Sequence, residues 1–246
     1  PFQSIEISPL SSVLHYGQSV FEGMKAFRRQ DGRLTIFRPD RHWSRFNVSL
    51  KRMCMPEIDY DVFLSSLHHL VEVDSAWTPN DPESSLYIRP FCFGSEDRLG
   101  VRPSEDFIFC IVASPMGKYY PKPLKVKVER EFSRAAPGGV GFAKCSGNYG
   151  AAFYPTKLAQ QQGFDQVIWT DSCTHSNIEE SGTMNIILVV DNTLITPQLS
   201  DTLLDGITRN SLLTLAENNG IHVEERQVRI DELRSALQNS NSVFAY

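Results

Sequence analysis

The sequence predicts a mixed α/β (α+β) protein with two domains. Apolar runs typical of strands alternate with hydrophobic repeats at helical spacing, and 246 residues are enough for one large or two small domains. The segment 115–123, PMGKYYPKP, contains three of the 14 prolines and is typical of an interdomain linker. We therefore predict a small N-terminal α/β domain at 1–114, this linker, and a larger β-rich domain at 124–246.

Local signals predict the elements of the first domain. A strand is expected at 34–37, and Pro39 is a helix-start signal because its fixed φ suits the first helical turn. Apolar residues then recur at helical spacing, at Trp43, Phe46, Leu50 and Met53. A second helix is predicted from Asp59 to Ala76, and strands follow a polar turn at 85–94 and 106–114.

The second domain begins with a predicted strand at 124–132 and a glycine-rich loop at 137–150. A helix then ends near Gly163. The remaining predicted elements are strands at 165–171 and 185–190, a helix at 208–218 that Gly220 ends, a strand at 222–228 and a short helix at 230–237.

Composition and charge exclude several classes of protein. A net charge of −5 argues against a broad basic face for nucleic acid, and the longest apolar runs, such as 186–190, are too short to span a membrane. The five cysteines form no C-x-x-C pair, which favours a reducing compartment. The six histidines show no metal-ligand spacing, so no metal is expected. We expect a cytoplasmic protein, and the alternative is an organelle protein whose targeting segment has been trimmed.

Lys144 is the first candidate for chemistry. It lies in the glycine-rich loop, where glycine allows unusual backbone angles and close approach to a ligand. A lysine held among apolar neighbours can act as a nucleophile toward an aldehyde or as a general base. From the spacing alone, a surface lysine in a flexible turn is the simpler interpretation.

Two adjacent carboxylates, Glu179 and Glu180, precede a Ser-Gly-Thr turn and form the second candidate. Neighbouring side chains on an extended chain point to opposite faces, so one of the two can face a site. A carboxylate there can pair with a cationic ring nitrogen. Without further context, a solvated acidic turn is the better interpretation.

Two further signals suit a phosphate group. A predicted helix begins at 206–209, with Gly206, Ile207, Thr208 and Arg209. Free backbone N–H groups and the helix dipole favour an anion there, although simple capping explains the same residues.

The second signal is a helical face that carries Arg38, Arg41 and Arg45. An arginine turned inward can hold a phosphate with two hydrogen bonds. At least one of these three arginines is expected to be solvated.

Taken together and in order, these segments give the chain a specific resemblance. It resembles the branched-chain-amino-acid aminotransferases, enzymes of fold type IV that depend on pyridoxal 5'-phosphate. The matching segments are HYGQSVFEGMKAFR (15–28), FRPDRHWSRF (37–46), SLYIRP (85–90), GFAKCSGNYG (141–150), EESGTMN (179–185) and LLDGITRNS (203–211).

The resemblance implies a role for each candidate at the cofactor. Lys144 matches the lysine that forms the Schiff base, and Tyr149 matches the tyrosine beside the phenolic oxygen. Glu180, three residues before Thr183, matches the carboxylate at the ring nitrogen. Arg45 and the backbone amides of Ile207 and Thr208 match the phosphate ligands, and Thr183 counts among the cofactor-binding residues.

At the substrate side, the matching residues are Tyr16, Phe21, Tyr87 and Arg89, with Tyr119 in the linker that covers the pocket. For Arg89, a structural arginine paired with an acid of the small domain is an equally weighted alternative.

The implied activity is transfer of the amino group of L-leucine, L-isoleucine or L-valine to 2-oxoglutarate, in a homodimer whose sites use residues of both subunits.

The family continues past the position of Tyr246 into a Gly/Ser/Thr/Ala loop that helps hold the phosphate. If that loop is truly absent, a non-catalytic remnant that binds the cofactor is the alternative. Within the same fold, the alternative is a D-amino-acid aminotransferase.

Overall fold

The computed structural model describes residues 3–118 and 122–238, together with the backbone of Phe244–Ala245. Tyr119, predicted to cover the pocket, lies outside these described residues.

The chain divides into two compact units. Unit 1 contains Pro1–Pro121 and Ala143–Gly147, and unit 2 contains Lys122–Phe142 and Asn148–Tyr246. The segment around Lys144 therefore belongs to unit 1, whereas its neighbours along the chain belong to unit 2.

Unit 1 combines an antiparallel sheet with two long helices. Its elements are α1 (Ser12–Tyr16), β1 (Ser19–Phe21), β2 (Met24–Arg28), β3 (Leu34–Ile36), α2 (Pro39–Arg52), α3 (Tyr60–Val73), a 3₁₀ turn (Ser75–Trp77), β4 (Ser85–Gly94) and β5 (Phe107–Met116). The strand order is β1-β4-β2-β3, with β5 also paired to β4. Both predicted helices of this unit are confirmed, and Asp59 caps α3 by accepting hydrogen bonds from the amides of Asp61 and Val62.

One face of this sheet is apolar and packs against the long helices. Phe46 of α2 and Phe63 of α3 are fully buried, and their rings contact each other and Phe109 of β5. Residues paired across strands point to the same face, so Cys92, the partner of Phe109, also lies there. The opposite face therefore carries the alternate positions of β4, among them Tyr87 and Arg89.

In the part of the chain that the structure describes, unit 2 contains two small sheets and three helices. Its elements are β6 (Val126–Val128), α4 (Ser146–Gln161, which begins in unit 1), β7 (Gln166–Thr170), β8 (Asn177–Ser181), β9 (Met184–Asn185), β10 (Leu188–Val190), β11 (Thr193–Thr196), α5 (Ile207–Asn218), β12 (His222–Glu225), β13 (Val228–Arg229), α6 (Ile230–Gln238) and β14 (Phe244–Ala245). One sheet has the order β13-β8-β7-β6, with β9 paired to β8, and the other has the order β12-β11-β10-β14. Its main core contains Ile168, Ile178, Ile186, Leu188 and Ile195.

The mixed α/β prediction is confirmed, but several element bounds were wrong. The strand predicted at 124–132 is limited to β6, because the Glu129 carboxylate accepts hydrogen bonds from the next three backbone amides and turns the chain away. The run predicted as one strand at 185–190 is divided between two sheets, since β9 pairs with β8 and β10 pairs with β11. Strand β5 extends to Met116, into the predicted linker, because Pro115 and Met116 still pair with β4.

Two further findings bear on function. None of the helices in the described residues combines the length and the apolar character needed to cross a membrane. Within the same residues, no group of three or more His, Cys, Asp or Glu side chains is arranged to hold a metal ion.

Candidate functional site: a lysine, two buried carboxylates and a helix N-terminus

Lys144 lies in a short segment that pairs with β1 at the edge of the sheet of unit 1. The amide of Phe21 donates a hydrogen bond to the Lys144 carbonyl at 3.0 Å, and Cys145 forms an isolated antiparallel bridge with Val20. On the helix side, the Lys144 amide donates to the Ser49 hydroxyl of α2 at 2.9 Å. The Lys144 Nζ lies 4.8 Å from the centre of the Phe21 ring. The lysine side chain is thus directed to the aromatic face of the sheet.

The same face of the sheet carries the predicted substrate residues Phe21, Tyr87 and Arg89. The Arg89 guanidinium lies 4.4 Å from the centre of the Phe21 ring and donates to the Tyr87 hydroxyl from Nη2 at 2.6 Å. A Cβ atom at Gly23 would collide with that hydroxyl, so a larger residue there would displace the Tyr87 side chain. Lys25 pairs with Tyr87 and shares its face, although sequence analysis did not select it. Unit 1 therefore brings aromatic rings and cations together around the lysine.

Arg89 has no carboxylate within ion-pair distance among residues 3–118 and 122–238. Its side-chain contacts are the Tyr87 hydroxyl and the two aromatic rings. This weakens the alternative in which Arg89 is a structural arginine paired with an acid. Tyr16, at the end of α1, is 45% exposed and is not part of this cluster in its own chain.

Arg45 forms a buried ion pair with Glu22. Its Nε and Nη2 donate to the two Glu22 carboxylate oxygens at 2.7 and 2.9 Å, and His42 Nδ1 lies 2.7 Å from the second oxygen. Burial alone would raise the pKa of Glu22, but the charge of Arg45 and hydrogen bonds from His42 and Arg45 lower it to about 2. Glu22 thus orients one edge of the arginine. Of the other arginines on α2, Arg41 is exposed.

Unit 2 contributes Glu180, on the acidic strand β8. One Glu180 oxygen accepts a hydrogen bond from the Leu204 amide at 2.6 Å, and the other pairs with Arg134 Nε at 2.9 Å. Glu180 is 2% exposed, and Arg134 is anchored by the Thr202 carbonyl at 2.7 Å. Positively polarised donors therefore hold this carboxylate as an oriented, water-excluded anion.

Glu179 points to the other side of the strand and is also buried, so the interpretation of a solvated acidic turn was wrong. One of its oxygens accepts a hydrogen bond from the Thr202 hydroxyl at 2.5 Å, whereas the other has no hydrogen-bond partner among the described residues. Burial raises the pKa of Glu179, and the Thr202 hydrogen bond offsets this only in part. The two adjacent carboxylates therefore have different environments.

The N-terminus of α5 lies beside the hairpin that carries Glu180. Asn185 donates to the Leu204 carbonyl at 2.8 Å, and a Cβ atom at Gly206 would collide with the Asn185 Oδ1. The N-cap residue of this helix is Gly206, which has no side chain to cap it. The backbone amides of Ile207 and Thr208 belong to the first turn of the helix, where backbone N–H groups and the helix dipole favour an anion.

Tyr149 and Thr183, the other predicted cofactor residues, line one cavity of unit 2. This cavity has a volume of about 260 Å³ and is also bordered by Phe153, Lys157 and Gly182. Tyr149 lies in the first turn of α4, and Thr183 lies in the turn between β8 and β9.

Sequence analysis missed the residues that hold the candidates in place: Glu22, Ser49, Arg134 and Asn185. Glu22 and Arg134 had a weak signal, because a buried carboxylate or arginine requires an opposite charge. Ser49 had none, since a serine inside a helical repeat looks like an ordinary polar position. These residues become visible through contacts between distant parts of the chain.

Comparison with known proteins identifies relatives of the chain. The sequence model of the family described as amino-transferase class IV matches residues 19–243. The branched-chain-amino-acid transaminase 1 of Bacillus subtilis is 45% identical over 240 residues, which cover 96% of this chain and 67% of that protein. A probable branched-chain-amino-acid aminotransferase of Staphylococcus aureus is 48% identical over 237 residues, covering 95% of this chain and 66% of that protein.

The fold is also similar to solved structures. The branched-chain aminotransferase of the archaeon Thermoproteus uzoniensis, solved with norvaline, superposes with a TM-score of 0.81 at 28% identity, covering 95% of this chain and 76% of that one. The resemblance to these enzymes and the fold type are thereby confirmed. The chain spans about two thirds of the length of the curated relatives it matches. The family match over residues 19–243 shows that this chain belongs to the class IV aminotransferases.

Proposed function

We propose that this chain is a pyridoxal 5'-phosphate-dependent transaminase that moves the amino group of L-leucine, L-isoleucine or L-valine to 2-oxoglutarate. The observation that carries the proposal is the sheet face of unit 1, where the Lys144 amine and the Arg89 guanidinium both lie against the Phe21 ring. An amine, a cation for a carboxylate and an aromatic wall are the groups that amino-acid chemistry requires. The relatives of the chain act on the same class of substrate, as their names state.

The donor groups of the chain fit this cofactor. The buried anion of Glu180 suits a protonated ring nitrogen, and the start of α5, whose N-cap residue is a glycine, suits a phosphate dianion. Gly206 lets this helix start pack directly against Asn185, because any side chain there would collide with the Asn185 Oδ1. When bound, pyridoxal 5'-phosphate supplies the aldehyde that takes up the amino group and a ring that withdraws electrons from the substrate α-carbon.

The residues of the chain have separate tasks in this reaction. With the cofactor bound, the Lys144 amine would take the proton from the substrate α-carbon and deliver it to the C4' atom of the cofactor, and it would make the reverse transfer in the second half-reaction. Arg45 and the amides of Ile207 and Thr208 hold the phosphate, and Glu180 orients the ring. Tyr149 and Thr183 border the cofactor.

The substrate residues must accept both an aliphatic side chain and, in the second half-reaction, an additional carboxylate. Phe21 and Tyr87 supply an apolar surface with a hydroxyl group, and we assign Tyr119 and Tyr16, which lies outside this cluster, to the same group. Arg89 already donates to the Tyr87 hydroxyl, so it can reach a carboxylate directly or through that oxygen. The Arg89 guanidinium lies over aromatic rings and is not paired with an acid among the described residues. An aliphatic substrate therefore does not leave Arg89 without a partner that it had before.

The test is a transamination assay with the purified protein, pyridoxal 5'-phosphate, L-leucine and 2-oxoglutarate, in which glutamate formation is measured. We expect turnover with L-leucine and none with D-alanine. The Lys144→Ala variant should bind the cofactor through its phosphate but show no turnover. Turnover with D-alanine but not L-leucine would favour a D-amino-acid aminotransferase. Cofactor binding without any turnover would favour a non-catalytic protein.

A homodimer and a cytoplasmic location complete the proposal. The homodimer rests on the similarity to the family, and the cytoplasmic location rests on the cysteine pattern. Sedimentation of the purified protein tests the dimer directly.

A further inference from the structure

We infer that Ser49 is a positioning residue for Lys144 and places the lysine in register with Arg45. This inference rests on the proposed function, in which Lys144 moves the proton and Arg45 holds the phosphate. It assigns a role to a buried serine that touches neither substrate nor cofactor.

The Ser49 hydroxyl joins two backbone groups that belong to these two residues. It accepts a hydrogen bond from the Lys144 amide at 2.9 Å and donates one to the Arg45 carbonyl at 3.0 Å. Ser49 is 0% exposed, so water cannot replace either bond. A hydroxyl is the smallest side-chain group that can accept from one side and donate to the other.

The lysine segment needs such an anchor because its neighbours along the chain belong to the other unit. Its remaining contacts hold it to β1: the Phe21 amide donates to the Lys144 carbonyl, and Val20 bridges Cys145. These bonds attach the segment to a strand, whereas Ser49 attaches it to α2. Lys144 is thus fixed through both of its own backbone polar groups, each to a different element.

This double attachment matters because the lysine side chain is long and flexible. A backbone displaced by about 1 Å shifts the amine relative to the atoms between which it moves a proton, at a large cost in rate. Arg45 lies one turn before Ser49 on α2, and its carbonyl accepts from the same hydroxyl. Ser49 therefore links the lysine backbone to the helix turn that carries Arg45.

Hydrogen exchange of the holoenzyme tests the bond itself. In Ser49→Ala, the amide of Lys144 loses its acceptor, and exchange in a peptide covering 143–147 should accelerate at least about tenfold. Ser65→Ala is the matched control, because Ser65 is an exposed serine on α3 that donates to the Val62 carbonyl of its own helix. Ser49→Thr keeps the hydroxyl and should restore protection. Unchanged exchange in Ser49→Ala would overturn the inference.

A mutant cycle tests the positioning role, with the dissociation constant of pyridoxal 5'-phosphate as the readout. Ser49→Ala should weaken cofactor binding about tenfold when Lys144 is present and less than about twofold in Lys144→Ala, since its effect passes through the lysine. An equal loss in both backgrounds would show that Ser49 acts on the fold alone and would overturn the inference. If Lys144→Ala itself retained turnover, the proposed function would fail instead.

Discussion

Replacing Glu22 by glutamine removes the charge at the centre of a buried cluster while keeping the size of the side chain. Glu22 is 0% exposed and accepts hydrogen bonds from Arg45 Nε and Nη2 and from the Gly23 amide, and His42 Nδ1 lies at 2.7 Å. The amide group of a glutamine cannot accept through both of its ends. The variant therefore leaves the Arg45 guanidinium, which is 12% exposed, without the Glu22 charge.

The magnitude follows from the pKa of the carboxyl group. Burial raises the pKa of Glu22, and the Arg45 charge and hydrogen bonds from His42 and Arg45 lower it further than burial raises it, from 4.5 to about 2. A change of this size corresponds to about 3 kcal/mol of unfolding free energy. Breaking a buried ion pair by removing one partner costs about 3–5 kcal/mol in other proteins. We therefore expect Glu22→Gln to lower the free energy of unfolding by about 3 kcal/mol at neutral pH.

The pH dependence provides an independent test of the same reasoning. Because the folded pKa is depressed, the stabilisation is present above the ordinary pKa and is lost as the pH falls through the folded value. In urea titrations, the difference between wild type and Glu22→Gln should thus shrink between about pH 5 and about pH 2. Glu57→Gln, at an exposed glutamate of unit 1, is the control and should stay within about 0.5 kcal/mol of wild type. A Glu22→Gln effect below about 1 kcal/mol, or one that does not change with pH, would refute the role of the cluster.

Four other substitutions test contacts at the site. Glu180→Gln should destabilise the protein by about 3–5 kcal/mol because it removes the charge that pairs with Arg134, and urea titration measures this. Glu179→Gln should instead become more stable relative to wild type as the pH rises above about 4.5, because the pKa of Glu179 is raised and its ionised form destabilises the folded protein. A difference in unfolding free energy that stays constant across pH would contradict this. Gly206→Ala should lower the free energy of unfolding by about 1–3 kcal/mol and weaken cofactor binding, because the new side chain would collide with Asn185. Its control is Gly150→Ala, which has open space around it and should leave thermal stability unchanged or raise it. Arg89→Gln should raise the KM for L-glutamate about tenfold with little change in Tm, and no loss in either half-reaction would remove Arg89 from the site.

The helices were predictable because their signals lie within a few residues of sequence. Pro39 begins α2, Asp59 caps α3, and Gly220 follows the end of α5, as the sequence analysis expected. Helix start and stop signals act through local backbone geometry, so no distant part of the chain has to be known. The short helix α1 was missed because its five residues contain no full hydrophobic repeat.

The strands of unit 2 were less predictable because their lengths depend on partners. Strand β8 carries two adjacent glutamates, a pattern that favours a solvated turn, yet both are buried. Arg134 pairs with Glu180, and the Thr202 hydroxyl donates to one oxygen of Glu179, both from distant positions in the chain. Propensity describes the isolated segment, and here tertiary contacts outweighed it.

The sequence by itself determined the fold class, the order of the helices α2 to α6 and the family to which the chain belongs, because these depend on local patterns and on the order of short motifs. Only the tertiary structure decided that Ala143–Gly147 joins unit 1, that Glu22 pairs with Arg45 and that Ser49 holds the Lys144 amide. The physical reason is desolvation: a buried charge or amide must find a partner inside the protein, and that partner comes from wherever folding brings the chain.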